Sequence, residues 1–485
     1  GSWFGLRLMD GDGSRSVITN AFVEYGGASP GFKGTEPANV MLDDYYGEVK
    51  ARIKNVTSRR SAGYGLYAEE DIHADFETNA LTENERGPAH LHPRFLGHVD
   101  EASDFDGNEV DAVYLHEASL ARERLKWPGI EVPYLVEGNI DLAENTFVQI
   151  GPGAEFRFEE NKGLSVFRSR LSALGTDDDP IVFTGRKETP GYWRGVRFLD
   201  TNSVDNALEH VKISYGGADP TYKGSEPANL MLDDYYGTVR LKLHNTELSH
   251  SGRYGMYAEE QAEIDFANNE LVANERAAAL VHPLVIDSFD DQTSYAAADG
   301  DEGRIEVLGE PLDGAEVTWP RLDAHYLVRG DVLVRDDAHL TIEPGVEVAF
   351  SEGAGLSVYR ARLTANGEED SPIVFTGARE TPGYWKGIHL VDTASVENSF
   401  EHVVIEYGGA TETFKGAEPA NLMLDDYYGL VSTTMNNVTS RHSGAAALHL
   451  EPETEIRTDS CATIRAEGDE DVTGESQSLS QACRG

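Results

Sequence analysis

The sequence predicts an all-β solenoid built from long internal repeats. Three observations carry this. First, a fifteen-residue stretch occurs three times: KGTEPANVMLDDYYG from Lys33 to Gly47, KGSEPANLMLDDYYG from Lys223 to Gly237, and KGAEPANLMLDDYYG from Lys415 to Gly429. Second, short runs with an apolar residue at every second place recur between Gly, Pro, Asn and Asp turns, the period of a half-buried strand. Third, 485 residues exceed one ordinary compact domain, whereas a solenoid grows by stacking.

The order of elements follows from the repeat. Asp44, Asp234 and Asp426 are 190 and 192 residues apart, so every motif is read as a member of an array. The solenoid is expected over residues 1–460, with a partial first unit at about 1–126, a second at 127–318 and a third at 319–460. Ser2-Trp3-Phe4-Gly5 aligns with Tyr192-Trp193-Arg194-Gly195 and Tyr384-Trp385-Lys386-Gly387. The chain therefore opens inside a repeat, and further sequence is expected upstream.

After each signature comes an alternating strand. Its inward places are Val49, Ala51 and Ile53 in the first unit, Val239, Leu241 and Leu243 in the second, and Val431, Thr433 and Met435 in the third. Asn55, Asn245 and Asn437 end these strands at one register. Asn tolerates left-handed dihedrals and satisfies backbone groups at a bend. A further turn and strand follow at Ser61 to Ala68 and Ser251 to Ala258.

Residues 96–126 and 285–318 are acidic and less regular, with Asp104 to Asn108 and Asp299 to Gly303 reading as loops. They are expected to project from the body or to carry an ill-formed coil. The array resumes at Trp127-Pro128 and Trp319-Pro320, and Leu340 to Phe350 reads strand, turn, strand. A propeller would repeat every ~40–50 residues. Coils of roughly 20–25 residues would place about eight in each unit.

The run GLSVYRARLTANGEEDSPIVFTG…YWKGIHL…FEHVVIEYGG, from Gly355 to Gly409, resembles the right-handed parallel β-helix repeat proteins of bacterial and archaeal surfaces. The resemblance covers residues 134–285 and 326–450. It implies a single right-handed parallel β-helix of roughly twenty coils, a rod on the order of 90–100 Å long at about 4.8 Å per coil. It also implies an extracellular or cell-surface location. The family includes adhesins, coat-like surface proteins, tail spikes, polysaccharide lyases and hydrolases, so the resemblance leaves activity open. The signature stretch is longer than a plain coil turn of that family.

Composition narrows the partners. The net charge is −45, from 85 Asp and Glu against 40 Lys and Arg. Such a surface repels nucleic acid and anionic lipid and favours cations, basic partners or a saline, halophilic habitat. No apolar run approaches the ~20 residues of a membrane helix, so no membrane span is expected. Cys461 and Cys483 are the two cysteines. Confined to residues 461–485, they read as a disulfide stapling a C-terminal cap in an oxidising compartment. No CxxC or Cys/His cluster suggests zinc.

The best functional candidates are the repeated corners: Asp43, Asp44, Tyr45 and Tyr46; Asp233, Asp234, Tyr235 and Tyr236; Asp425, Asp426, Tyr427 and Tyr428. Paired carboxylates suit Ca²⁺, and adjacent tyrosines suit glycan faces. The competing reading is structural, with Asp accepting backbone N–H bonds, the rings covering the core edge and Gly supplying positive φ. Three copies argue against catalysis, which needs one assembled cleft, so no catalytic residue is assigned. Within the same loop, Lys33 with Glu36, Lys223 with Glu226 and Lys415 with Glu418 are expected to form ion pairs.

Arg52-Ile53-Lys54 and Asp43-Asp44 look superficially like polygalacturonase elements, but no Gly-His-Gly lies between them. His90-Leu91-His92 reads as a metal pair on a strand or as surface or turn histidines, and the second unit keeps only His282. The favoured function is a non-enzymatic extracellular scaffold or adhesion rod contacting glycans or cations at its corners, with Ca²⁺ the one cofactor considered. The alternatives are a polysaccharide lyase or hydrolase, and a phage spike.

Overall fold

The computed structural model describes residues 1–10, 14–29, 32–297, 303–393 and 398–458, with backbone alone for 464–467 and 472–474. Cys461 and Cys483, and with them the expected staple, lie outside the described residues. So do Asp299 to Glu302 of the second acidic loop. The described chain is a parallel β-helix in two compact units.

Unit one holds residues 1–257, 261–270 and 274–276. Its first face stacks Leu6–Leu8, Ala38–Leu42, Tyr64–Ala68, Gly87–Leu91, Val113–Leu115, Tyr134–Val136, Glu155–Phe158, Ile181–Gly185, Val211–Ser214 and Glu247–Ser249. A second face runs Ala118–Ala121, Ile140–Ala143, Leu164–Phe167, Val196–Leu199 and Ala228–Asp233. A third carries Arg124–Trp127, Phe147–Ile150, Arg170–Leu174, Ala207–Glu209, Val239–His244 and Ala262–Ala267. The pairing is parallel, as between Leu164–Phe167 and Val196–Leu199. Each of these coils is therefore a triangle of three strands.

Alternation explains the strands. Val239, Leu241 and Leu243 are buried while Arg240 and Lys242 face out. Inward residues stack between coils, so that Leu164, Val196 and Leu230 share one register. Each aliphatic side chain taken fully from water contributes about 1.5–3 kcal/mol. At the bends, Asn20, Asn55 and Asn245 hold φ of 52°, 53° and 49°. Asn55 Nδ2 donates to Asn20 Oδ1 at 2.7 Å. The bend asparagines expected from the sequence are left-handed, and in the first unit they bond from coil to coil.

One repeat is not a whole number of coils. From the first signature strand, Ala38–Leu42, seven steps along the first face lead to Val211–Ser214. The second signature strand, Ala228–Asp233, comes next in the chain but lies on the second face, beside Val196–Leu199. Spread over seven and a third coils, 190 residues are about 26 per coil, slightly longer than expected.

Of the two expectations for residues 96–126, a projecting loop or an ill-formed coil, the first is corrected, because the stretch forms part of the solenoid. Pro93–His98 is a short 3-10 helix on which His92 Nδ1 accepts the Arg94 N–H at 3.3 Å. Ala118–Ala121 and Arg124–Trp127 then pair with Ile140–Ala143 and Phe147–Ile150. Phe105, Leu120 and Leu125 are buried, so this stretch carries the core of a coil despite its acidity.

Unit two holds residues 258–260 and 271–273 and the chain from 277 onward. One face stacks Ala277–Val281, Gly303–Val307, Ala324–Val328, Glu347–Phe350 and Ile373–Gly377. Another stacks Leu312–Asp313, Val332–Arg335, Leu356–Tyr359, Ile388–Val391, the signature strand Ala420–Asp425 and Ala446–Leu450. Residues 285–318 again supply a short 3-10 helix, Val285–Ser288, and then ordinary strands. Trp385 stacks on Phe350 at 4.2 Å and donates to Glu406 O at 2.8 Å. In unit one Trp193 does the same with Phe158, at 4.4 Å, and Ser214 O, at 2.7 Å.

A buried asparagine ties each signature strand to its coil. Asn421 Oδ1 accepts the Gly408 N–H at 2.8 Å, and Nδ2 reaches Ile405 O, Arg441 O and Ser440 Oγ at 3.0, 2.9 and 3.0 Å. Asn39 bonds in the same way to Gly26, Val23, Arg59 and Ser58. Asn229 accepts from Gly216 and donates to Ser249 O.

Candidate functional site

The corner is a β-turn with the two tyrosines at its apex. Gly47 N–H donates to Asp44 O at 2.8 Å, Gly237 to Asp234 at 2.8 Å, and Gly429 to Asp426 at 3.0 Å. Asp at the first and Gly at the fourth place are the residues such a turn prefers. Gly237 holds φ +149°, and a Cβ there would lie 2.9 Å from Asp200 Oδ1. The tyrosines occupy the two central places and project away from the strands. They are 58–75% exposed in all three copies, so the rings do not cover the core edge as the structural reading expected. Each pair meets edge to face, with centroids 4.9, 4.7 and 4.7 Å apart.

The aspartates are occupied by the fold. Asp43, Asp233 and Asp425 are buried. Arg7 Nε donates to Asp43 Oδ2 at 2.7 Å, Arg197 pairs with Asp233, and His389 Nε2 lies 3.2 Å from Asp425 Oδ2. Asp43 Oδ1 and Asp425 Oδ1 also accept the Tyr45 and Tyr427 N–H groups, at 2.9 and 2.7 Å. The next aspartate clips the following coil: Asp44 Oδ2 accepts from Asp71 N, Asp234 Oδ2 from Gln261 N and Asp426 Oδ2 from Glu453 N, at 2.7–2.8 Å. In the loop above, Glu36 pairs with Arg86 at 2.6 Å and Glu226 lies 3.6 Å from Arg253. In the first two copies arginines from a neighbouring coil thus hold the loop, where the loop's own lysines were expected.

Two copies carry a third ring. Phe167 lies 5.8 Å from Tyr236, and Tyr359 lies 5.6 Å from Tyr428. Arg168 sits over Phe167 at 4.8 Å and Arg360 over Tyr359 at 4.9 Å. Their Nε atoms donate to Asp200 and Asp392, both at 2.5 Å. Each platform therefore joins three aromatic rings to an arginine and a carboxylate. Sequence reasoning missed these residues. The recurrence of Phe167-Arg168 and Tyr359-Arg360 at the repeat spacing was the signal available for them.

Other ionisable clusters are structural in their bonding. Glu69 Oε2 accepts the Asp44 N–H at 2.9 Å and Oε1 the Tyr67 hydroxyl at 3.1 Å. Burial first, and then Asp44, push the Glu69 carboxyl up to about 7. Burial and Asp426 do the same to Glu451. His90 and His92 are buried strand and turn residues, not surface ones. His90 stacks on His116 at 4.0 Å, and burial drives His116 down to about 3 and His92 to about 4. Among the described residues no group of three or more His, Cys, Asp or Glu side chains is arranged to hold a metal ion.

Unit one also has a polar cleft of about 280 Å³, lined by Asp177, His210, Lys212, Glu247 and Glu270 among others. His210 pairs with Asp177 at 2.9 Å and Lys212 with Glu247 at 3.0 Å. Burial pushes the Glu247 carboxyl up, but hydrogen bonds from Ser249 and Lys212 outweigh it and hold the group below the usual range. At neutral pH it is a carboxylate with no proton to give.

Residues 313–420 match a family model described as a pectate-lyase like beta helix domain. No match was returned among curated proteins or among solved structures. The matched segment ends at Ala420, the first residue of the third signature strand, so the tyrosine corner of that copy lies beyond it. No described helix is long and apolar enough to cross a membrane.

Proposed function

We propose that this parallel β-helix is a non-catalytic scaffold, extracellular or at a cell surface, that contacts neutral carbohydrate through its tyrosine corners. One observation carries the reading: in three copies the fold ties down both aspartates, one against a cation and one against the next coil, and presents both tyrosines to solvent. A sugar ring offers an apolar C–H face rimmed by hydroxyls, and tyrosine offers an apolar ring with a polar tip. Rings already fixed on a tight turn lose little freedom on binding. The Arg168–Asp200 and Arg360–Asp392 pairs beside them supply donors and acceptors for hydroxyls. The net charge of −45 disfavours polyuronates at low salt, which leaves neutral glycans as the better ligands.

Affinity electrophoresis through soluble neutral and uronate-rich polysaccharides tests this. The expected result is retardation by a neutral polymer, weakened by Tyr235→Ala/Tyr236→Ala and by Tyr427→Ala/Tyr428→Ala, with no new reducing ends. Migration unaffected by every polymer would overturn it.

A second reading, a polysaccharide-degrading enzyme, is favoured by the cleft at Lys212 and Glu247. It predicts new reducing ends or unsaturated uronates that disappear in Lys212→Ala. The low position of Glu247 argues against a hydrolytic general acid there.

A further inference from the structure

Resting on the carbohydrate reading, we infer that unit one bridges separate glycan chains: its two tyrosine corners cannot lie along one stiff chain. The observation is topological and independent of the tyrosines' chemistry. Ala38–Leu42 and Ala228–Asp233 are the same strand of the repeat, yet they lie on different faces of the solenoid. Tyr45 and Tyr46 project where the first face ends, and Tyr235 and Tyr236 where the second ends. Seven and a third coils at about 4.8 Å place them about 35 Å apart along the axis. With three strands to a coil they also point about a third of a turn apart.

This geometry decides how two sites of one kind work together. Two sites gain avidity on one ligand only when that ligand can span them. A stiff polysaccharide lying on the first corner runs along one side of the solenoid. To reach the second it must cross the bend between faces while advancing along the axis. Arg52 and Asp75, ion-paired with Arg15 on the strands that follow the first corner, put charge and not an aromatic face beside it. Two chains, one at each corner, meet no such obstacle. A repeat of seven whole coils would have aligned both corners on one side, and the additional third of a coil removes that alignment.

The test uses the full chain carrying Tyr427→Ala/Tyr428→Ala, so that the two corners of unit one alone remain. These tyrosines are exposed, and an unchanged melting temperature checks the fold. The probes are a soluble β-glucan and a soluble galactomannan, each as high-mass polymer and as short oligosaccharides. Titration calorimetry is expected to give about two oligosaccharides per chain, with affinity changing less than about threefold as the oligosaccharide lengthens. Light scattering with the polymer should rise near equivalence and fall in excess protein. Adding Tyr45→Ala/Tyr46→Ala, or Tyr235→Ala/Tyr236→Ala, should halve the stoichiometry and abolish the rise. Tightening of tenfold or more with length, without the scattering rise, would show one chain spanning both corners and overturn bridging alone. Absence of binding to either glycan in any form would overturn the carbohydrate reading and bridging with it.

Discussion

His389 and Asp425 form in the third copy the contact that arginine makes in the first two. His389 Nε2 stands 3.2 Å from Asp425 Oδ2, while its Nδ1 lies 3.2 Å from Ser357 Oγ and Phe414 stacks on the ring at 5.1 Å. The corresponding cations are Arg7 facing Asp43 and Arg197 facing Asp233. Arginine keeps its charge at any ordinary pH, whereas histidine carries one only when protonated.

The third corner therefore depends on a histidine where the other two depend on an arginine. Burial pushes the Asp425 carboxyl up, but hydrogen bonds from His389 and the Tyr427 N–H outweigh it and hold the group low. A lowered carboxylate contributes stability above its unfolded value, and that contribution is lost as pH falls through the folded one. His389→Arg restores the residue of the other copies, and a charge-assisted bond in place of the 3.2 Å contact is expected to raise the melting temperature. His389→Ala leaves a buried carboxylate short of a partner and should cost about 1–3 kcal/mol. Melts of the three proteins at neutral pH decide it, and an arginine variant that melts no higher than the parent would sink the idea.

The buried asparagine should matter more to stability than either corner aspartate. Asn421→Ala removes four hydrogen bonds at a residue with no exposure and strands Gly408 N–H, Ile405 C=O and Arg441 C=O. Each buried group left unpaired costs about 1–3 kcal/mol, and partial access of water reduces the total to about 2–4 kcal/mol. Urea unfolding should show the midpoint fall with little change in slope. A loss under about 0.5 kcal/mol would mean that neighbouring groups re-pair without the amide.

The strands were legible in the sequence because burial imposes a period of two. Val239, Leu241 and Leu243, for example, face inward as the alternation requires. Contacts between coils were not legible. Arg7 meets Asp43 across 36 residues and Arg168 meets Asp200 across 32, and no local pattern encodes such pairs. The spacing of 190 residues gave no coil length, so the additional third of a coil, and with it the change of face, was hidden. The exposure of the tyrosines was left open between a glycan-facing and a core-covering reading, and the turn decides it, because its central places point away from the strands whatever the hydrophobicity of the side chain. Residues 96–126 looked irregular because a 3-10 helix and acidic turns interrupt the alternation, although Phe105, Leu120 and Leu125 still fill the core.

Gly195 explains why Trp-x-Gly recurs in the second and third units. It holds φ +95°, and a Cβ there would meet Ala228 O at 2.4 Å, with Gly387 equally close to Ala420 O at 2.3 Å. Gly195→Ala therefore combines an unfavourable dihedral with a clash against backbone on the next coil. The expected loss is at least about 2 kcal/mol. By contrast Gly224→Ala, at φ +95° with open space around it, should lose about 1 kcal/mol from the dihedral alone. Parallel denaturation of the two variants separates clash from dihedral, and equal losses would remove the clash from the account.

Glu69 and Glu451 should act on stability with the opposite sign from Asp425. Burial and the adjacent aspartates raise both carboxyls from 4.5 to about 7. Between those values the folded chain holds protons that the unfolded chain has released. Their contribution is therefore complete below about pH 4.5 and is lost as pH rises through about 7. Gln keeps an acceptor for the Asp44 N–H and cannot ionise. Glu69→Gln/Glu451→Gln is therefore expected to melt close to the parent near pH 4.5 and above it near about pH 8. Because the comparison is made at each pH, the titration of the remaining acidic residues cancels. A difference in melting temperature that stays constant from acid to alkaline pH would show that neither carboxyl holds a proton in the fold.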